Sequence, residues 1–108
     1  MPYPKQREIV LLDFDPSRGK EIKKRRPALV ISRNECNQYT GFCLVCPITS
    51  TIRPYPTYVD IKSPKNITGQ IVTHQIRSID YQHRNLQVVE TYNILTWTDV
   101  LSIIQNFI

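Results

Sequence analysis

The sequence predicts a mainly β fold, a small barrel or curled sheet with one C-terminal α-helix. Three observations predict it: many short runs rich in β-branched and aromatic residues, proline and glycine between these runs, and a change to helical spacing near the C-terminal end. Because the runs follow one another closely, they favour a barrel or curled sheet over alternating strand–helix units. At 108 residues, with no low-complexity linker, the chain is expected to form a single domain over residues 1–108.

Six runs are predicted to be strands because each combines strand-forming residues with turn residues at its ends. The first two, EIVLLDF and PALVIS, are joined by a basic loop that starts at DPSRG, and the second is followed by RNECNQYTG, which is interpreted as a loop. The predicted strands are 8–14, 27–32, 42–48, 58–61, 69–76 and 86–90.

From Thr96 onward the apolar residues follow the spacing of an amphipathic helix. Thr96 is predicted to cap this helix, and Asp99 three residues later favours the positive end of the helix dipole. The apolar side, predicted to pack on the sheet, consists of Trp97, Val100, Leu101, Ile103, Ile104 and Phe107.

Positive charge is concentrated in one segment. The net charge is +5, and six cations stand against the single Glu21 between Arg18 and Arg26. Such a segment is either a solvated loop or a binding surface for an anionic partner. Arg26 differs from the rest because Pro27 biases it towards an extended backbone, which holds its side chain at the start of a strand.

Several classes of protein have no support. No apolar run approaches the roughly 20 residues that span a bilayer, and the N-terminus lacks the apolar core of a signal peptide. Three cysteines do not suggest a disulfide framework, so free thiols and a cytoplasmic location are expected. Cys43 and Cys46 form a CxxC, but on a strand they would face opposite sides, and no second ligand pair is present, so no metal site is expected. No phosphate-binding glycine motif or nucleophile elbow occurs, and thiol catalysis has no flanking signature.

Polar residues follow or interrupt the apolar strands at a few places. Thr49 and Ser50 end the third strand in VCPITS, just before the proline-rich TIRPYPTY. Their hydroxyls are either simple turn-formers or part of a site. His74 is predicted to lie on the fifth strand on the same face as Val72 and Ile76, as a structural histidine or a catalytic one.

The stretches FDPSRGKEIKKRRPALVIS, NQYTG, VCPITS and GQIVTHQIRSID resemble, in this order, the successive motifs of the MazF/PemK family, the toxins of bacterial toxin–antitoxin pairs. The resemblance covers roughly residues 7–84. It implies an SH3-like curled barrel of the CcdB/PemK type with a C-terminal helix, a homodimer, and an endoribonuclease that cuts single-stranded RNA at short sequences with no metal or other cofactor. It also implies a cognate antitoxin, whose inhibitory segment is expected to be acidic and disordered until bound.

The same resemblance assigns roles to individual residues. Arg26 and Thr49 match catalytic positions, and His74 stands near a position where some relatives carry an acid, so it is the candidate proton shuttle. Gln75, Arg77 and Asp80 are expected to be structural, with Asp80 bound to Arg77 or to backbone. The RNA-binding candidates are Arg18, Lys20, Lys23, Lys24, Arg25, Ser50, Arg53, Tyr55 and Tyr58, the cations on phosphates and the tyrosines on unpaired bases.

The residue types fit metal-independent RNA cleavage, in which the 2′-hydroxyl attacks the adjacent phosphate to give a 2′,3′-cyclic phosphate and a 5′-hydroxyl. A permanently charged guanidinium can bind two phosphate oxygens, and a hydroxyl can donate a hydrogen bond to a non-bridging oxygen. The alternative is a protein of the same fold that cuts nothing, either a toxin that poisons DNA gyrase or an inactive RNA-binding dimer.

Overall fold

The computed structural model describes residues 2–14, 24–62 and 66–108. It contains seven strands, two α-helices and two short 3₁₀ turns. In chain order these are β1 (Glu8–Asp13), β2 (Arg25–Val30), α1 (Asn34–Thr40), β3 (Phe42–Thr49), β4 (Tyr58–Asp60), β5 (Gln70–Val72), a 3₁₀ turn (Thr73–Gln75), β6 (Arg77–Asp80), a 3₁₀ turn (Tyr81–His83), β7 (Gln87–Thr91) and α2 (Ile94–Asn106).

The strands form one antiparallel sheet in the order β4-β5-β3-β2-β1-β7, with β6 also paired to β3. Strand β3 has two successive partners, because Phe42 to Val45 pair with β6 whereas Ile48 and Thr49 pair with β5. The sheet therefore curls around β3. In the described part of the chain β4 and β7 lie at the two ends of this order and do not pair with each other, so the sheet is curled rather than closed. The predicted mainly β fold with a C-terminal helix is confirmed.

Alternation along the strands produces two hydrophobic cores, one on each face of the sheet. The helix-side core lies under α2. It contains Ile9, Leu29, Ile31, Cys46, Ile48, Ile71, Tyr92, Trp97, Val100 and Ile104. The far-side core lies on the other face and contains Val10, Leu12, Phe14, Ala28, Val30, Cys43, Val45, Ile79 and Tyr81. Cys43 and Cys46 thus face opposite sides, as predicted.

The predicted helix is present, but it begins at Ile94 rather than at Thr96. Trp97, Val100 and Ile104 are buried, whereas Phe107 is 42% exposed and lies beyond the last helical residue. The apolar spacing therefore identified the packed side of α2 but extended it one turn too far. The capping role predicted for the Thr96 side chain lies outside what the structure describes.

The segment interpreted as a loop before β3 is largely helix α1. Its centre is Asn37, a fully buried residue whose amide donates to the carbonyl oxygens of Pro4 and Ser32, at 2.8 and 3.3 Å. The hydroxyl of Tyr81 donates to the carbonyl oxygen of Asn37 at 2.7 Å. Five of the seven residues of α1 are Asn, Cys, Tyr or Thr, which are weak helix formers, so these tertiary contacts stabilise a helix that local propensity does not predict.

No helix in the described residues is long and apolar enough to cross a membrane.

Candidate active site at the ends of strands β2 and β3

The two residues expected to be catalytic lie on neighbouring strands. In the β2–β3 ladder Ala28 pairs with Pro47 and Val30 with Val45. Continuing this register by two residues sets Arg26 opposite Thr49. Alternation from Ala28 and Val45, both in the far-side core, directs the two side chains to the same face of the sheet. The fold therefore brings a half-buried guanidinium and a hydroxyl to one rim of the far-side core.

Arg25, the cation next to Arg26, is bound to neighbouring protein groups. Its Nη1 donates to the carbonyl oxygen of Asn85 at 2.7 Å and lies 3.4 Å from a carboxylate oxygen of Asp13. The Asn85 amide donates to the other Asp13 oxygen at 2.8 Å, and this bond, together with Arg25, lowers the pKa of the Asp13 carboxyl. Arg25 thus ties the ends of β1 and β2 to the turn before β7.

Thr49 is 8% exposed, more enclosed than a strand-end hydroxyl is expected to be. Its Oγ1 accepts a hydrogen bond from the backbone N–H of Thr51 at 3.1 Å, which turns the chain out of the strand. Since a hydroxyl that accepts one bond keeps its own proton for another, Thr49 remains able to donate to a ligand. Ser50 and Arg53, which follow, are exposed.

Gly69 packs against the backbone of Thr49. Its φ of +125° lies in a region that L side chains rarely adopt, and a Cβ at this position would stand 2.2 Å from the Thr49 carbonyl oxygen. The close approach permits β5 to begin at Gln70, the strand partner of Thr49. Glycine at 69 is therefore required for the end of β3 to have this shape.

The strand predicted for residues 69–76 is wrong in its second half. Strand β5 ends at Val72, and His74 lies in the following 3₁₀ turn, exposed, rather than on a strand face with Val72 and Ile76. The N–H of Thr73 still donates to the carbonyl oxygen of Thr57 at 3.0 Å, in register with the Tyr58–Val72 pair, and its hydroxyl donates to the same oxygen at 2.7 Å. The chain turns after Thr73, where the N–H of Ile76 donates to the Thr73 carbonyl oxygen at 3.3 Å and closes the 3₁₀ turn.

His74 nevertheless has a defined position. Its Nδ1 lies 2.9 Å from the hydroxyl of Thr57, and its ring centroid lies 5.5 Å from that of Tyr58. A hydrogen bond at Nδ1 fixes the ring and presents Nε2 on the opposite side. Strand pairing does not bring His74 next to Arg26 and Thr49, because the strand partner of Thr49 is Gln70.

The three residues expected to be structural have different surroundings. Arg77 pairs with Val45 on the face of the far-side core, donates to the carbonyl oxygen of Phe14 at 3.5 Å, and holds its guanidinium carbon 5.2 Å from the centre of the Phe14 ring. Asp80 binds Nδ1 of His83 at 2.6 Å, a partner that the sequence did not suggest. Gln75 is half-buried at the end of the 3₁₀ turn. Arg77 is thus a further cation near the rim, which strand alternation from Ile79 could have identified.

The basic segment is described only from Lys24 onward. Arg18, Lys20 and Lys23 lie outside the described residues, whereas Lys24 is exposed with a φ of +69°. Tyr55 and Tyr58 lie close together on the other side of β3, with ring centroids 5.8 Å apart.

The described part of the chain offers few groups suited to thiol catalysis or metal binding. Burial raises the pKa of both Cys43 and Cys46 to about 12, which keeps these thiols protonated and unreactive near neutral pH. Cys36 is exposed, and all three cysteines are free. Among the described residues no group of three or more His, Cys, Asp or Glu side chains is placed to hold a metal ion.

Comparison with known proteins gives one consistent result. A sequence model described as PemK-like, MazF-like toxin of type II toxin-antitoxin system matches residues 5–108. The chain is 35% identical over 81 residues to the endoribonuclease toxin MazF of Escherichia coli strain K12, covering 75% of this chain and 72% of the relative.

Solved structures agree with this match. The crystal structure of MazF from Deinococcus radiodurans has a TM-score of 0.93 and 28% identity, over 99% of this chain and 97% of that one. A crystal structure of MazE-MazF from the same organism has a TM-score of 0.85 and 25% identity, over 99% and 96% of the two chains.

Proposed function

Because the chain belongs to the PemK-like, MazF-like toxin family of type II toxin–antitoxin systems, we propose that it is an endoribonuclease toxin that cleaves single-stranded RNA. A relative that shares 35% of its residues over three quarters of the chain is an endoribonuclease toxin. The single observation that carries the proposal is the β2–β3 register, which pairs Ala28 with Pro47 and, continued by two residues, puts Arg26 across from Thr49. A guanidinium and a hydroxyl on the same face of the sheet suit a phosphate that gains negative charge.

In this reaction the 2′-oxygen attacks phosphorus, the bond to the 5′-oxygen breaks, and a proton passes from the attacking oxygen to the leaving one by way of a base and an acid. Arg26 binds the non-bridging oxygens, whose charge grows in the transition state, and its fork geometry matches two of them. Thr49 donates a hydrogen bond from its hydroxyl to the same phosphate. Neither group is suited to remove a proton at neutral pH, so a third group must do this.

For the proton transfer we propose His74. Imidazole is the side chain that ordinarily changes its charge between pH 5 and 8, and the bond from Nδ1 to Thr57 leaves Nε2 available on the other side of the ring. A nucleotide bound across β3 and β5 would have to bring its 2′-hydroxyl towards this ring.

Substrate binding is assigned to the cations and rings that surround the rim. Lys24 and the basic residues before it bind phosphates flanking the cleaved one, and Ser50 and Arg53 extend this surface beyond Thr49. Arg25 contributes less than an unpaired cation, since Asp13 partly neutralises it. Tyr55 and Tyr58 stack on unpaired bases.

The partner is a cognate antitoxin, in keeping with the MazE-MazF complex that matches this fold. Its inhibitory segment is proposed to be acidic and partly disordered, so that it orders over the cationic rim and excludes RNA. The toxin itself is proposed to act in the cytoplasm as a homodimer, with no cofactor.

The direct test is to incubate the purified protein with a mixed RNA in the presence of a metal chelator and to sequence the new 5′ ends. We expect 5′-hydroxyl ends at one short recognition sequence. The same preparation of Arg26→Ala serves as the control for contaminating nucleases. RNA that stays intact, while the folded protein binds RNA or inhibits DNA gyrase, would contradict the nuclease assignment.

His74→Gln tests the proton transfer. Glutamine keeps a polar group of similar reach but cannot take up or release a proton, so the single-turnover rate should fall strongly and lose the part of its pH dependence that comes from His74. His83→Gln is the matched control, since His83 lies in another 3₁₀ turn with Asp80 as its partner. A His74→Gln protein with the wild-type rate and pH profile removes His74 from the mechanism.

A further inference from the structure

Gln70 is a polar residue in the first position of strand β5, and it is 4% exposed. Buried amide groups require partners, and this side chain has a complete set. Its Oε1 accepts from the backbone N–H of Arg53 at 2.8 Å. Its Nε2 donates to the carbonyl oxygen of Arg53 at 3.1 Å and to a carboxylate oxygen of Asp60 at 2.8 Å.

These bonds hold the middle of the exposed segment 50–57. The two contacts with Arg53 imitate one rung of a strand ladder, although Arg53 lies outside every strand. Pro54 and Pro56, on either side of Tyr55, lack N–H groups and cannot supply such bonds themselves. Within the loop the N–H of Tyr58 donates to the carbonyl oxygen of Tyr55 at 3.0 Å, so residues 55–58 close a turn of their own, and the Gln70 side chain from β5 holds the part of the loop that precedes this turn.

A short row of rings starts on this loop and continues on β4 and the 3₁₀ turn after β5. Tyr55, 58% exposed, lies 5.8 Å from Tyr58, whose ring lies 5.5 Å from that of His74. The far end of the row is fixed by the two bonds from Thr73 to Thr57. Gln70 fixes the near end, and its backbone pairs with Thr49. One strand thus sets the position of the rings relative to the proposed reacting phosphate.

We propose that Gln70 is a positioning residue for base selection: it holds the loop so that Tyr55 and Tyr58 receive unpaired bases at a fixed distance from the phosphate bound by Arg26 and Thr49. The inference rests on the proposed ribonuclease function. Gln70 touches neither the RNA nor the reacting atoms. It acts by reducing the number of loop conformations that would otherwise compete with the binding conformation.

Gln70→Val tests this role, because valine suits a strand and removes all three side-chain bonds. With an oligonucleotide containing the mapped cleavage sequence, KM should rise about tenfold while kcat changes less than about threefold, since a loop that samples other conformations loses binding in proportion. Discrimination against single-base variants of that sequence should fall by a similar factor. Gln87→Val is the matched control, an exposed glutamine on strand β7.

A further measurement and a second variant distinguish failure of this proposal from failure of the ribonuclease function and from misfolding. Hydrogen exchange at the Arg53 amide should become faster in Gln70→Val but not in Gln87→Val, whether or not the protein cuts RNA, so this readout survives failure of the proposed function. If Gln70→Val does not fold, Gln70→Met replaces it, because methionine is close to glutamine in length and also removes all three side-chain bonds without placing a second carboxylate beside Asp60. Unchanged Arg53 exchange, or an equal fall in kcat and kcat/KM with intact base discrimination, overturns the proposal.

Discussion

Arg26→Ala is expected to lower the single-turnover rate of RNA cleavage by on the order of 100-fold or more, as removal of one preorganised donor to a developing charge commonly does. The β2–β3 register, continued by two residues beyond the pair of Ala28 and Pro47, puts Arg26 across from Thr49 on one face of the sheet. RNA binding should weaken much less, since the remaining cations still neutralise flanking phosphates. The measurement is cleavage at saturating protein, with binding followed separately by fluorescence anisotropy.

Two further variants test whether the effect of Arg26→Ala comes from losing the guanidinium at this position. Arg26→Lys keeps the charge but loses the two-pronged geometry, so its rate should lie between those of the wild type and Arg26→Ala. Arg33→Ala removes an exposed arginine beyond the other end of β2 and should leave the rate unchanged. If Arg26→Ala and Arg33→Ala cleave equally well, Arg26 has no part in the reaction.

Gly69→Ala is expected to destabilise the fold by about 3–5 kcal/mol, the combined effect of an unfavourable backbone conformation and overpacking. The added Cβ would stand 2.2 Å from the carbonyl oxygen of Thr49, and that oxygen cannot move without shifting the strand end. Cleavage should fall together with stability, because the same shift displaces the Thr49 hydroxyl. Thermal and urea unfolding measure the first effect, and cleavage well below the melting temperature measures the second.

Gly41→Ala is the matched control for this substitution. Gly41 also has a positive φ, +73°, but an added Cβ there would have no atom within 4 Å. Gly41→Ala should lower the free energy of unfolding only by the cost of a left-handed backbone conformation, about 1–2 kcal/mol. Cleavage should be unaffected. Equal destabilisation by the two alanines would show that the contact with Thr49 adds nothing.

Much of the sheet could be predicted from the sequence because strand alternation is a local property. The runs 8–14, 42–48 and 58–61 match β1, β3 and β4 to within one residue, and the apolar spacing located the packed side of α2. The opposite orientation of Cys43 and Cys46 followed from the same period of two. Arg26 and Thr49 were identified by motif, and their adjacency needed no more than the pairing of two neighbouring strands.

The two wrong predictions of secondary structure, the loop before β3 and the second half of the strand 69–76, share one physical cause. Helix α1 exists because Asn37 binds groups near the N-terminus and Tyr81 reaches it from the other end of the chain. After Val72 the Thr73 hydroxyl binds the Thr57 carbonyl oxygen, and the chain closes a 3₁₀ turn through the N–H of Ile76 instead of continuing as a strand. In both places a hydrogen bond between distant residues outweighs local preference, which differs among ordinary residues by only about 0.7 kcal/mol or less per position in a helix.

The sequence by itself determined the mainly β class, the C-terminal helix, the family and the residue types available for phosphate chemistry, since all of these depend on composition, period and chain order. Tertiary structure alone decided that Arg25 is held by Asp13 and Asn85, that His74 stands on a turn against Thr57 and Tyr58, and that Gln70 supports the loop from β5. The buried partners of a polar side chain depend on which strands come together in the curled sheet. No local pattern in the sequence indicates that arrangement.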